Sequence, residues 1–159
     1  METTAINTET IGNKNTAIAM QLSALTQYFI PLGNYIFPTI IWSLKKDQSE
    51  FVNQNGKNII NFQLSLLLYY FILGVSAVCL LIYAAVNGTS IQINHLNDFD
   101  WTVENFTTGN VTAVVVTALT ALGIIAMLKL LEFFLIIYAA VKNSNGENYK
   151  YPLTINFIK

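Results

Sequence analysis

Two long apolar stretches dominate the chain, over residues 59–86 and 111–141. The first is interrupted only by Asn61, Gln63 and small hydroxyl residues, and about 20 apolar residues are enough to cross the hydrocarbon of a bilayer. Each stretch therefore predicts a transmembrane helix. At ~1.5 Å per residue the second runs to ~45 Å, so it must tilt or project beyond a core of ~30 Å. A third apolar stretch, residues 17–44, contains Pro31, Gly33 and Pro38. Proline removes a backbone donor and glycine loosens the chain, so this element is expected to be broken or kinked at those positions. A single crossing and a re-entrant pair of half-helices both fit. The stripe Ile18, Leu22, Leu25 and Phe29, opposite Ser23, Thr26 and Gln27, favours the hairpin.

The expected fold class is all-α: a small helical integral membrane bundle with two full transmembrane helices and a Pro/Gly-broken N-terminal membrane helix or half-helix pair. Residues 1–16 are polar and expected to be disordered, and 17–159 form one membrane domain. Within it, 45–58 reads as a connector, 87–110 as a loop between the spans and 142–159 as a tail.

Composition supports the bilayer, because 53% hydrophobic and 11% charged residues leave too little polar surface for a protein facing water on all sides. The charges then orient it. All eight basic residues are lysines: Lys14, Lys45, Lys46, Lys57, Lys129, Lys142, Lys150 and Lys159. The loop 87–110 has none, so the positive-inside rule puts the connector and the C-terminus in the cytoplasm and that loop outside. The loop is acidic, with Asp98, Asp100 and Glu104 beside the sole histidine, His95, but it lacks the alternating spacing of a calcium loop. Its Asn-x-Thr triplets at Asn87, Asn105 and Asn110 matter only in a eukaryotic secretory pathway. The first residues show no basic, apolar and small-residue succession of a cleaved leader. The single cysteine, Cys79, lies in a predicted span and reads as a packing residue. A formal net charge of −1 gives no footprint for nucleic acid.

Few residues could carry chemistry. Lys129 and Glu132 are the only charges within the spans, and at i, i+3 they share a helix face where they can neutralise one another. As a function they would form a proton or ion relay; as structure, an ion pair that fixes packing. Gln27 and Asn34 flank the break in 17–44 and are expected to hydrogen-bond it, with a substrate or ion site as the alternative. Asn61 and Gln63 mark the entry of the chain into the bilayer, with Gly56 ending a turn in the connector. Gly146 ends the last helix, and Tyr149, Tyr151 and Pro152 read as an aromatic anchor at the interface. Ala113, Thr117 and Ala121 form a small-xxx-small stripe suited to close helix approach, within the chain or with another copy. No nucleophile elbow, phosphate loop or paired-histidine helix is present. A non-enzyme with no cofactor and no metal is expected.

The stretch 22–65, LSALTQYFIPLGNYIFPTIIWSLKKDQSEFVNQNGKNIINFQLS, resembles the signature of the bacterial membrane-protein family called domain of unknown function forty-eight seventy. The tail AAVKNSNGENYKYP over 139–152 resembles its closing pattern. The residues carrying the resemblance include Pro31, Gly33, Pro38, Lys45, Lys46, Asp47, Gly56, Lys57, Asn61, Gln63, Tyr149, Tyr151 and Pro152. That family is distantly similar to the Tic-twenty protein of the chloroplast inner envelope. The resemblance implies a link to protein translocation. The chain reads as a multi-pass protein of the bacterial cytoplasmic (inner) membrane, a non-catalytic subunit or scaffold that docks a partner through its cytoplasmic face, residues 45–63 and 149–152. Its partners would be the lipid bilayer and another membrane protein or a homo-oligomer. The alternative is a small channel or transporter using the Lys129–Glu132 pair.

Overall fold

The computed structural model describes the backbone of residues 2–88 and 108–159 and the side chains of residues 10–83 and 115–159. Among them there are four α-helices, a short 3₁₀ turn and no strand. Helix α1 is Glu2–Ser23, the 3₁₀ turn is Ala24–Tyr28, α2 is Gly33–Lys45, α3 is Glu50–Gly88 and α4 is Thr108–Ser144. His95, Asp98, Asp100, Glu104 and Asn105 lie outside the described residues.

Two of these helices are long and apolar enough to span a membrane, Glu50–Tyr83 with mean hydropathy 2.4 and Val115–Ser144 with 2.3. Only 11% and 22% of their most apolar windows are buried inside the protein. The core helix of a water-soluble domain would hide most of such a surface, so both helices turn their apolar side chains outward.

The chain divides into two compact units, one made of Met1–Leu68 with Leu128–Lys159, the other of Tyr69–Met127. In the first, α1 packs against α2 and against the 3₁₀ turn, so the broken stretch doubles back on itself. Ala17, Met20, Gln21 and Ala24 are the buried side of α1 and the turn, and Gly33, Asn34 and Pro38 that of α2. The close approach needs small residues: a Cβ at Gly33 would run into Thr26. Residues 29–32 make the bend, where Thr26 accepts the backbone N–H groups of Phe29 and Ile30 and Leu32 adopts a left-handed φ of 62°.

Four expectations change here. Pro38 does not break the chain; it sits inside α2, at the cost of the one hydrogen bond its missing N–H would have made to Asn34. The polar residues 2–16, expected to be disordered, belong to α1, which is anchored at its far end by the buried Ala17, Met20 and Gln21. The connector is shorter than 45–58, because α3 already begins at Glu50. Gly56 consequently ends nothing: it lies within α3, where a Cβ would collide with the Trp42 indole. Trp42 is held there by its ring N–H donating to Asn53 at 3.1 Å, with the Lys46 ammonium 5.3 Å from the ring centre. Gly146 does end α4, at a left-handed φ of 83° with Glu147 N–H returning to the Lys142 carbonyl.

The second unit comprises parts of α3 and α4. None of its described side chains is buried; Leu73 and Ala77 on α3, and Thr117, Ala121 and Ile125 on α4, are half-buried. Phe71, Ile72, Val75, Val78, Leu119 and Leu122 are exposed.

Candidate functional site: a polar clamp

Glu132 is the most consequential buried charge among the described residues, at 1% exposure. An unpaired carboxylate so placed would cost several kcal/mol. Both its oxygens are engaged: Gln27 Nε2 donates to Oε1 at 2.8 Å, and Lys129 Nζ donates to Oε2 at 2.8 Å. Lys129 also donates to Gln27 Oε1 at 2.8 Å. Gln27, delivered by the 3₁₀ turn, thus closes a ring of three hydrogen bonds with the i, i+3 pair on α4. The Lys129 side chain keeps 39% exposure and the Glu132 side chain none, so the ring has one accessible edge.

A second polar contact joins α2 to α3. Asn34 Nδ2 donates to Gln63 Oε1 at 2.6 Å, and the Tyr35 hydroxyl donates to the Gln63 carbonyl at 3.3 Å. Gln27 and Asn34 were expected to repair the break between them. They instead reach across to α4 and α3, because the bend satisfies its own backbone through Thr26, as above.

The third contact is the largest. The tail beyond Gly146 is extended, with backbone groups that no helix or sheet pairs, and one face of α3 supplies the partners. Asn55 Nδ2 donates to Asn148 Oδ1 at 2.6 Å and Asn58 Nδ2 to the Tyr149 carbonyl at 2.8 Å. Asn61 grips the backbone both ways, donating to the Ile158 carbonyl at 3.0 Å and accepting from the N–H groups of Phe157 at 3.1 Å and Ile158 at 2.8 Å. Ser65 Oγ accepts from Ile155 N–H at 2.8 Å. The steps of three, three and four between positions 55, 58, 61 and 65 put these side chains on a single helical face.

Tyr151 locks the strapped tail from the other side. It is 5% exposed, stacks on Phe62 with ring centres 4.2 Å apart and planes within 9°, and its hydroxyl donates to Gln21 Oε1 on α1 at 2.6 Å. Burial, with smaller contributions from Tyr149 and Glu132, pushes its phenol well above the usual 10.0, so it stays a donor. The interface-anchor reading is therefore corrected for Tyr151, whose ring lies inside the protein because Phe62 and Gln21 offer it both a face and an acceptor. Tyr149 packs edge-on between Tyr138 and Tyr151, and Pro152 is exposed.

The residues singled out in the sequence thus divide. Gly33, Asn34, Pro38, Gly56, Asn61, Gln63, Glu132 and Tyr151 are buried and serve the fold, whereas Pro31, Lys45 and Asp47 are exposed and Lys46 and Lys57 half-exposed. Gln21, Asn55, Asn58 and Ser65 were missed as a set. The recurring amides 55, 58 and 61 were the available signal, but nothing in the sequence indicated that the tail would lie along them. Among the described residues, no three His, Cys, Asp or Glu side chains come together as metal ligands.

Comparison with known proteins adds one assignment. The model of the magnetosome magnetite crystal formation protein family (MamF/MmsF) matches residues 12–158. No curated protein and no solved structure matches. This match overturns the resemblance to family forty-eight seventy and to Tic-twenty, and with it the link to protein translocation. Several of the residues that carried the resemblance, Gly33, Asn61 and Tyr151 among them, are buried packing residues of the hairpin and the tail, and such residues do not discriminate one function from another.

Proposed function

The chain belongs to the magnetosome magnetite crystal formation protein family, and from that premise we propose that it serves magnetite formation as a non-catalytic helical subunit of the membrane. The observation that carries this reading is the closed ring of Gln27, Lys129 and Glu132, in which the two charges of the α4 pair and the amide that meets them satisfy one another. Groups so engaged hold helices in register; they are not poised to take up a proton or an ion. The lysine bias places the connector and tail on the cytoplasmic side and the acidic loop 87–110 on the opposite one. In this reading α1 lies at the interface and α2 enters the membrane as a half-span; the outward apolar stripe of Ile36, Ile40 and Leu44 on α2, 46%, 50% and 71% exposed, supports it.

A small channel or transporter is the competing reading, favoured by the accessible edge of Lys129. Removing the chain from a magnetite-forming bacterium and measuring crystal dimensions by electron microscopy tests the proposal. Smaller or misshapen crystals, restored by the full chain, are expected. Crystals of unchanged size and shape in its absence would overturn it.

A further inference from the structure

Between α3 and the strapped tail lies an open cleft of about 320 Å³. Its α3 wall carries Lys57 and Asn58, and its tail wall Asn148, Lys150, Asn156 and Lys159. Three lysines are among its lining residues, and among the described residues no carboxylate side chain lines it. Glu50, which accepts from Gln54 and Asn53 and lies within electrostatic reach of Lys57, is outside the lining and leaves Lys150 and Lys159 without a carboxylate in it. The walls are fixed by the clamp: Asn58 holds the Tyr149 carbonyl, Asn148 donates to Gln54 at 2.8 Å, and Asn61 holds residues 157 and 158. Gathering three like charges around one opening is unfavourable unless an anion offsets it. Lysine ammonium groups beside neutral amide donors are a ligand set for phosphate oxygens, with lysine acting as a point charge. The scaffold reading makes no use of these lysines.

We propose that this cleft binds a phosphate group, carried either by an anionic phospholipid headgroup or by free inorganic phosphate. Its position suits both sources. Lys57 lies two residues before the apolar stretch 59–86, and Ile155 and Phe157 of the tail are 40% and 49% exposed, a setting that suits a headgroup at the membrane surface.

The full chain, purified in a neutral detergent and phosphate-free buffer, is titrated with phosphatidylglycerol, phosphatidylcholine or inorganic phosphate. Bound lipid is read by native mass spectrometry and phosphate by the shift of the thermal unfolding midpoint. The double variant Lys57→Gln/Lys150→Gln is compared with Lys45→Gln/Lys46→Gln, which removes equal charge outside the cleft. At about fivefold per lysine near an anionic surface, the cleft variant is expected to lose about twentyfold in affinity, and the control little. Loss for phosphatidylglycerol but not phosphatidylcholine identifies the headgroup; loss of the phosphate-induced shift alone identifies the free anion. Lys150→Gln by itself, at an exposed position, is expected to lose about fivefold and keeps the comparison open where the double variant does not fold. Equal binding by wild type and cleft variants, or an equal loss in the control, would overturn the proposal.

Discussion

The two compact units solve the same problem with opposite materials. The unit of residues 1–68 and 128–159 hides Gln21, Asn55, Asn61, Gln63, Ser65 and Glu132, each at 2% exposure or less, and joins most of them to one another or to the tail. The unit of residues 69–127 buries none of its described side chains and turns outward isoleucine, leucine, valine and phenylalanine. In lipid, burying a leucine against protein gains little over leaving it against acyl chains. Which face turns inward is then decided by close packing and by hydrogen bonds rather than by hydrophobicity. The polar unit fixes the arrangement of its helices, and the apolar unit presents surface to the bilayer.

Substitutions should separate the units in a graded way. The largest effect is expected from Lys129→Met, which leaves the Glu132 carboxylate buried with only Gln27: about 3 kcal/mol of stability is lost, seen as a lowered midpoint of denaturant unfolding in detergent. Asn61→Leu removes three bonds to the tail backbone and is expected to cost about 2 kcal/mol. Amide hydrogen exchange at Phe157 and Ile158 should quicken, whereas exchange in the α1–α2 hairpin should not.

Tyr151→Phe keeps the stack on Phe62 and loses the bond to Gln21, a cost of about 1 kcal/mol. It carries a pH signature too. Because the folded phenol titrates above the usual 10.0, its contribution is complete below pH 10 and is lost as the pH rises through the folded value, since the unfolded chain ionises first. Stability of the wild type should therefore decline more steeply above pH 10 than that of the variant. The smallest effect belongs to the other unit: Leu119→Ala, at a site 63% exposed, should change stability by less than about 0.5 kcal/mol. A loss as large as that of Asn61→Leu would mean that the apolar unit also fixes the arrangement of the helices.

Much of the fold was legible because lipid demands long apolar helices, and the runs 59–86 and 111–141 fall within α3 and α4. The bend before Gly33 was legible too, since Pro31 and Gly33 mark it. Pro38 misled because a single missing donor does not end a helix whose other bonds and packing persist. The tail strap was invisible for a different reason. It joins residues roughly ninety apart along the chain, and a scan for hydrophobic period treats Asn55, Asn58 and Asn61 as interruptions instead of as a face. Lys129 and Glu132 were recognised as partners from their spacing, but Gln27, which closes their ring, comes from an element whose path depended on how the hairpin folded.

Whether that ring is structure or chemistry is settled most directly by replacing all three members at once with apolar residues of similar volume, Gln27→Leu, Lys129→Met and Glu132→Leu. The variant is expressed in magnetite-forming cells that lack the native chain, and crystal size is measured by electron microscopy beside protein abundance. A structural clamp predicts wild-type crystals, because a buried polar cluster exchanged as a unit for well-packed apolar side chains is often tolerated. Normal abundance with crystal formation lost would contradict it and assign the ring to the movement of protons or ions.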